Sequence, residues 1–349
     1  MHISFTSLFA IASLTSLALA SNGKNGHQRG HKDHGNKAPK GKVFDHFLQI
    51  WFENQDFEDV AKVPGFTDLA KQGILLDNFN AITHPSEPNY VCAGGGDNFG
   101  IDNDDYYNIP ANVTTIYDLL ENKGLTWKVY QENIPSVGYT GYKSGTYVRK
   151  HNPAVIFDSV GLNKTRLQNI VGGDQFAKDI ASGDLPNWMF YTPDMNDDAH
   201  DTNASFAGEW LSKFYKSTLN NKEFLKKTLI LITFDENKST KTKRNRVWSL
   251  LIGDIPKKLR GTVDSTFYSH FSTLNTVELN WDLGNLGRQD TNKTMNNVYS
   301  FAAKKLHYKN KDVPESEIPS GIPAISGLLT GRSWNQTHPN STELPPQPR

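Results

Sequence analysis

Apolar and polar positions along the middle of the chain follow two periods in turn. Residues 47–52, Phe-Leu-Gln-Ile-Trp-Phe, are apolar almost throughout, as are 188–192 and 229–234. Runs of that length without alternation predict strands of a parallel sheet buried on both faces. Between them the spacing changes: residues 64–72, 114–123 and 206–215 carry apolar side chains at helical intervals, with Ile116, Leu119 and Leu120 on one face and Gly124 after the stop. Further strands are predicted at 73–82, 125–131 and 246–253, and a helix opens near His270 and runs to about Trp281. Strand and helix alternating in this way predict an α/β fold with a mostly parallel sheet.

Three of the buried runs end in acids. Glu53-Asn54-Gln55-Asp56 follows the first, 193–201 with Asp194, Asp197, Asp198, His200 and Asp201 follows the second, and Asp235-Glu236-Asn237 follows the third. Parallel strands place those ends on one edge of the sheet, where ligands of open α/β sheets bind. Four aspartates within nine residues repel one another unless a counter-charge sits among them. The strand 73–82 delivers Thr83-His84-Pro85-Ser86-Glu87-Pro88-Asn89-Tyr90 to the same edge. Ser86 there has two readings, an ordinary helix N-cap or a nucleophile beside the anion-favouring start of a helix. Glu53, Asn54, Asp235, Glu236 and Ser86 offer the oxygen donors that a hard divalent cation prefers. The segment 147–153, with Arg149, Lys150 and His151, is either a site for a substrate phosphate or an exposed cationic loop.

Composition bounds the rest. Residues 1–20 form an apolar run ending in a small-x-small pattern, Ala18-Leu19-Ala20, which predicts a secretory signal peptide, and no other segment offers a membrane span. Residues 21–42 are poor in apolar side chains and predict a disordered linker. The ordered domain is predicted over 43–307, with 308–349 a polar, proline-rich tail. Sequons at Asn112, Asn163, Asn203, Asn237, Asn292, Asn335 and Asn340 fit a glycoprotein that is secreted, extracellular or held in a cell wall. The single cysteine, Cys92, leaves stability to core packing. With 37 basic against 37 acidic residues, no net field points to nucleic acid or an anionic membrane, and the oligomeric state is left open.

The blocks FENQD (52–56), THPSEPNY (83–90), YVRKHNP (147–153), NDDAHD (196–201), TFDEN (233–237) and YSHFSTL (268–274) stand in one order. Together they resemble the secreted fungal acid phosphatases of the phosphoesterase family, within the alkaline phosphatase superfamily, over residues 43–307. The resemblance implies a three-layer α/β/α sandwich and a metal-assisted site that hydrolyses small-molecule phosphate monoesters. It makes Ser86 the nucleophile and Asn89 a phosphate-contacting amide. Glu53, Asn54, Asp235 and Glu236, with Ser86, become the ligands of a divalent cation, calcium, magnesium or zinc. His200 or His270 would be the general acid, and Lys150, His151, Asp198 and Asp201 would lie close to the substrate. A phosphodiesterase or phospholipase C of the same superfamily, or a secreted binding glycoprotein without catalysis, are the alternatives.

Overall fold

The computed structural model describes residues 39–240 and 244–318. Strand β1 (His46–Phe52) leads through the short helices α1 (Phe57–Val60) and α2 (Pro64–Ala70) into β2 (Ile74–Asn80). Helix α3 (Ser86–Gly95) and helix α4 (Ile116–Asn122) precede β3 (Trp127–Gln131), and a hairpin of β4 (Lys143–Ser144) and β5 (Tyr147–Val148) follows. After α5 (Asp158–Gly161) come β6 (Ile170–Gly172), α6 (Gly173–Ser182), β7 (Trp188–Thr192), α7 (Ala204–Phe214) and α8 (Lys222–Lys227). The remaining elements are β8 (Thr228–Phe234), β9 (Arg246–Gly253), β10 (Thr262–Asp264), β11 (Tyr268–Ser269), α9 (His270–Trp281) and α10 (Ser300–Ala303).

Among the described residues nine strands make one sheet in the order β10-β2-β9-β8-β1-β7-β3-β6, with β11 also on β2. Only β9 runs against its neighbours, β2 and β8. The centre is built from the three apolar runs: from Phe47 onward β1 is wholly buried, as are β7 and β8. Strands covered on both faces have no solvent side to alternate toward, which is why their sequences lack a period of two.

Register positions the chemistry. Phe47 to Phe52 pair with Leu229 to Phe234 residue for residue, and Asp235 N–H then donates to Phe52 C=O at 2.9 Å. Glu53 and Asp235 therefore leave the sheet side by side. The next neighbour is tied in by Glu53 N–H, which donates to Asp198 C=O at 2.8 Å.

Packed chain continues past His307. Asn310 pairs with both backbone groups of Val298, Asn297 bonds Lys311, and Val313 and Ile318 are buried. Asparagine side chains standing in for backbone partners hold this polar segment down, a form of packing that leaves no hydrophobic signature. At the near end Lys42 N–H already donates to Asn280 C=O at 2.9 Å, so the predicted linker boundary lies within packed chain. The signal segment and the sequons at Asn335 and Asn340 lie outside the described residues.

Candidate active site

Helix α3 settles how Ser86 is used. Pro85 occupies the N-cap position without a side-chain cap, and Ser86 is the first helical residue. Its hydroxyl is therefore not a cap: it lies 2.9 Å from Glu53 Oε2 and 3.5 Å from Glu236 Oε1. Every residue of α3 is buried, so the helix start and the anion-favouring end of its dipole meet the acids in a low-dielectric setting. Tyr90, one turn on and on the same face, donates its hydroxyl to Glu53 Oε1 at 2.6 Å.

Around Glu53 the charges interlock. His151 lies 3.2 Å from Glu53 Oε1 through Nε2 and 3.4 Å from Asp198 Oδ2 through Nδ1, and its ring stacks on Tyr90. Burial alone would raise the Glu53 carboxyl, but His151, with Lys150 and His200 beyond it, brings it down to about 2. The same pair works on His151, whose burial disfavours its charge while Glu53 and Asp198 raise its pKa on balance. Burial and the Glu53 charge lift Asp198 to about 7 against the pull of His151. Glu236 is lifted to about 7 by burial, opposed by His84, whose Nδ1 stands 2.5 Å from Glu236 Oε2. Asp235 is raised well above the carboxylate range, by burial and then by Glu53 and Glu236.

Both oxygens of Asp235 are buried with no close side-chain cation facing them among the described residues, and only the Ser86 hydroxyl and the Glu236 N–H offset that burial. Such a group is strongly unfavourable unless a cation or a proton faces it. Glu53, Asp235, Glu236 and the Ser86 hydroxyl thus fit a hard divalent cation by donor type. Asn54 follows Glu53 directly and is half-buried. A second donor set shares Glu53: its carboxylate, His151 and His200 each bring a ligand atom to within 4.8 Å of the others.

The geometry gives several of the predicted residues partners within the protein. Asn89 does not present a free amide: its Oδ1 accepts from Ile82 N–H and Thr83 N–H, and its Nδ2 donates to Thr83 C=O and Pro85 C=O. All of its hydrogen-bonding capacity braces the loop before Ser86. His270 is 1 % exposed, donates from Nε2 to Asp235 C=O at 2.8 Å and stacks on Trp51, and burial pushes its imidazole down to about 4. That histidine holds the backbone of an acidic residue. Asp198 accepts from His200 N–H, while exposed Asp201 lies 2.8 Å from His200 Nδ1. Both aspartates hold histidines in place. His151 is fully buried between two carboxylates. The segment 147–153 is not an exposed cationic loop, since Arg149 and His151 are buried. Lys150, 15 % exposed at its side chain, pairs with Asp104 at 2.9 Å and stands 3.3 Å from His200 Nε2. Among the sequons, Asn112, Asn163, Asn203 and Asn292 are exposed. Asn237 is 3 % exposed, and its amide donates to Asp56 and to Ser239 C=O.

The Phosphoesterase family's sequence profile matches residues 20–284. The chain belongs to the Phosphoesterase family. It is 46 % identical over 287 residues to a protein of Aspergillus fumigatus named acid phosphatase, a match that takes in 80 % of this chain and 63 % of that one. A phosphate-repressible acid phosphatase of Penicillium chrysogenum is 46 % identical over 80 % of this chain and 68 % of its own. The chain thus spans about two thirds of the length of these curated relatives. A phosphatidylinositol-3-phosphatase of Mycobacterium tuberculosis is 30 % identical over 70 % of this chain and 79 % of its own. In fold, this Phosphoesterase member is similar to a solved 2-O GAG sulfatase, 11 % identical, with 78 % and 76 % of the two chains covered and a TM-score of 0.50. No described helix is long and apolar enough to cross a membrane.

Two members of this Phosphoesterase site carry no prior sequence assignment. Tyr90 sits four residues beyond Ser86, and the helical i, i+4 spacing was the available signal. His84 is two residues before Ser86 and reaches Glu236, a partner 152 positions later that no local pattern discloses.

Proposed function

We propose that the protein is a secreted acid phosphatase that cleaves phosphate monoesters of small molecules through a covalent phosphoserine on Ser86. The observation that carries this reading is the Ser86 hydroxyl at the first turn of a ten-residue buried helix, 2.9 Å from Glu53 and 3.5 Å from Glu236. The names of the fungal relatives support it. A divalent cation held by Glu53, Asn54, Asp235 and Glu236 would neutralise charge at the Ser86 oxygen and on the phosphoryl group.

The chain's own residues divide the remaining work. As Ser86 Oγ attacks phosphorus its O–H bond breaks and the proton passes along the hydrogen bond to Glu53 Oε2, which returns it to the serine oxygen when phosphate leaves. As the bond from Ser86 Oγ to phosphorus forms, the ester P–O bond breaks and the leaving alcohol takes a proton from His200. His200 suits the role because its side chain is 27 % exposed and Asp201 fixes Nδ1, which leaves Nε2 for the leaving group. In the second half a water gives its proton back to His200 and displaces the serine oxygen, which recovers its proton as phosphate leaves. Lys150 and His84 are the cationic or protonatable groups at the solvent side of the cluster, where the ester oxygens would lie.

Acid-quenched protein incubated with radiolabelled p-nitrophenyl phosphate should carry label on Ser86, and Ser86→Ala should lose both the label and turnover. Turnover by Ser86→Ala at the parent rate would overturn the assignment.

A further inference from the structure

Behind the site, the other end of helix α3 is held by a second group of buried charges. Gly96 ends the helix in the left-handed conformation, φ +70°, leaving carbonyls that need donors. They are met from the turn 286–291. Arg288 Nη1 donates to Gly95 C=O and to Thr114 C=O, each at 2.8 Å, and Gln289 N–H donates to Gly96 C=O at 3.0 Å. The turn is shaped by Asp290, whose Oδ2 accepts from Leu286 N–H at 2.8 Å and whose Oδ1 accepts from Arg288 N–H at 2.7 Å. Asp290 is 1 % exposed and packs so near Gly96 that a Cβ there would stand 3.2 Å from its Oδ1.

The other face of Asp290 meets α9. Glu278, on that helix, is 2 % exposed and lies within hydrogen-bond reach of Asp290; the Leu286 N–H that serves Asp290 also bears on its carboxyl, while its Oε1 is buried without a donor. Two carboxylates so placed repel one another, and a carboxylate at a helix C-terminus is also opposed by the dipole. A single proton between them turns the repulsion into a hydrogen bond.

We propose that Glu278 and Asp290 share one proton, and that this proton clasps the 286–291 turn, and with it Arg288, onto the C-terminal end of the helix that carries Ser86. Arg288 is then a positioning residue for the nucleophile, and the clasp holds at acid pH and loosens as the proton is lost; the catalytic consequence, though not the clasp, rests on Ser86 being the nucleophile. The electrostatics agree. Burial, then the Asp290 charge, push Glu278 up to about 9. Asp290 is the ionisable side chain whose charge bears on it, and beyond Asp290 stand Arg288 and Asp97, which act on one another. A raised carboxyl gives stability that is complete below the unfolded-chain value of 4.5 and is lost as pH rises through about 9. One extra proton in the folded state changes the opening equilibrium by up to about tenfold per pH unit in that window.

Hydrogen–deuterium exchange of the full chain, compared at matched intrinsic rates at pH 5 and pH 8.5, reads the clasp directly. Peptides covering 86–96 and 286–291 should lose at least about tenfold protection at pH 8.5 relative to β1 and β8. Glu278→Gln, whose amide donates to Asp290 at every pH, should remove that loss. The same comparison on a Ser86→Ala background should be unchanged, so that failure of the clasp and failure of the nucleophile assignment are separate results. Equal protection at both pH values in the parent chain would overturn the proposal, and so would a Glu278→Gln chain that keeps the parent's pH dependence. Should Glu278→Gln not fold, the parent chain's two-pH comparison decides alone.

Discussion

Two histidines compete for the proton at the leaving group, and their surroundings separate them. His270 has its Nε2 committed to a backbone carbonyl and its charge suppressed by burial. His200 is partly exposed and oriented by Asp201. Loss of a general acid costs about 10²–10⁴-fold when the leaving group needs the proton, and less when the alcohol leaves readily as an anion. His200→Gln should therefore lose about 10²-fold or more in kcat on an alkyl phosphate and much less on p-nitrophenyl phosphate. Equal losses on the two esters would remove His200 from this role. The same reasoning sets Lys150 apart from Arg149. Arg149 is buried against Asn108 and the Tyr106 ring, where it serves the loop, whereas Lys150 keeps partial exposure beside His200.

Helix α3 and the loop before it act as one part, joined by Asn89. Removing that amide would leave the N–H groups of Ile82 and Thr83 without their acceptor in a buried setting, at about 1–3 kcal/mol per group. Asn89→Ala should lower stability by about 2–6 kcal/mol in urea unfolding, and reduce kcat with the Ser86 loop displaced. A variant as stable as the parent would show that the brace is dispensable. Amides of this kind explain what the sequence could and could not disclose. The central strands were legible because burial on both faces removes polar positions, and the acids at their ends were legible because strand direction puts those ends on one edge. The apolar reading did not reach Asn89's real partners, the His84 contact to Glu236 or the Glu278–Asp290 pair, since polar pairs between distant positions leave no periodic trace. Strand β6 and helix α6 were also missed: three residues make too short a run to signal a strand, and Gly172 and Gly173 at the helix start offer no side-chain cap. Ser86 itself was ambiguous for a related reason, because a cap and a helical first residue differ only in backbone angles.

Acids and bases balance at 37 each over the full chain, yet the site concentrates acids in the interior. Among its described members Asp235, Glu236 and Asp198 are all raised by burial, the latter two to about 7. Without a cation they favour protons, so the metal-free fold gains stability from them at low pH and loses it as pH rises from the ordinary carboxylate range toward 7. Glu53, drawn down to about 2 by His151, works in the opposite sense, and its contribution is lost only in strong acid. A bound cation would hold the raised carboxylates charged and remove their pH penalty. Chelation should thus lower the melting temperature more at pH 7 than at pH 4.5. A cation at a hundred times its Kd adds about 2.7 kcal/mol, or several degrees in a chain of this size. Calcium, magnesium and zinc added back one at a time to the chelated protein should restore the pH 7 melting temperature to different extents and so rank the site's preference. Identical melting curves with and without chelator at pH 7 would mean that protons, and no metal, settle these carboxylates, and the cation would then have to be dropped from the proposed chemistry.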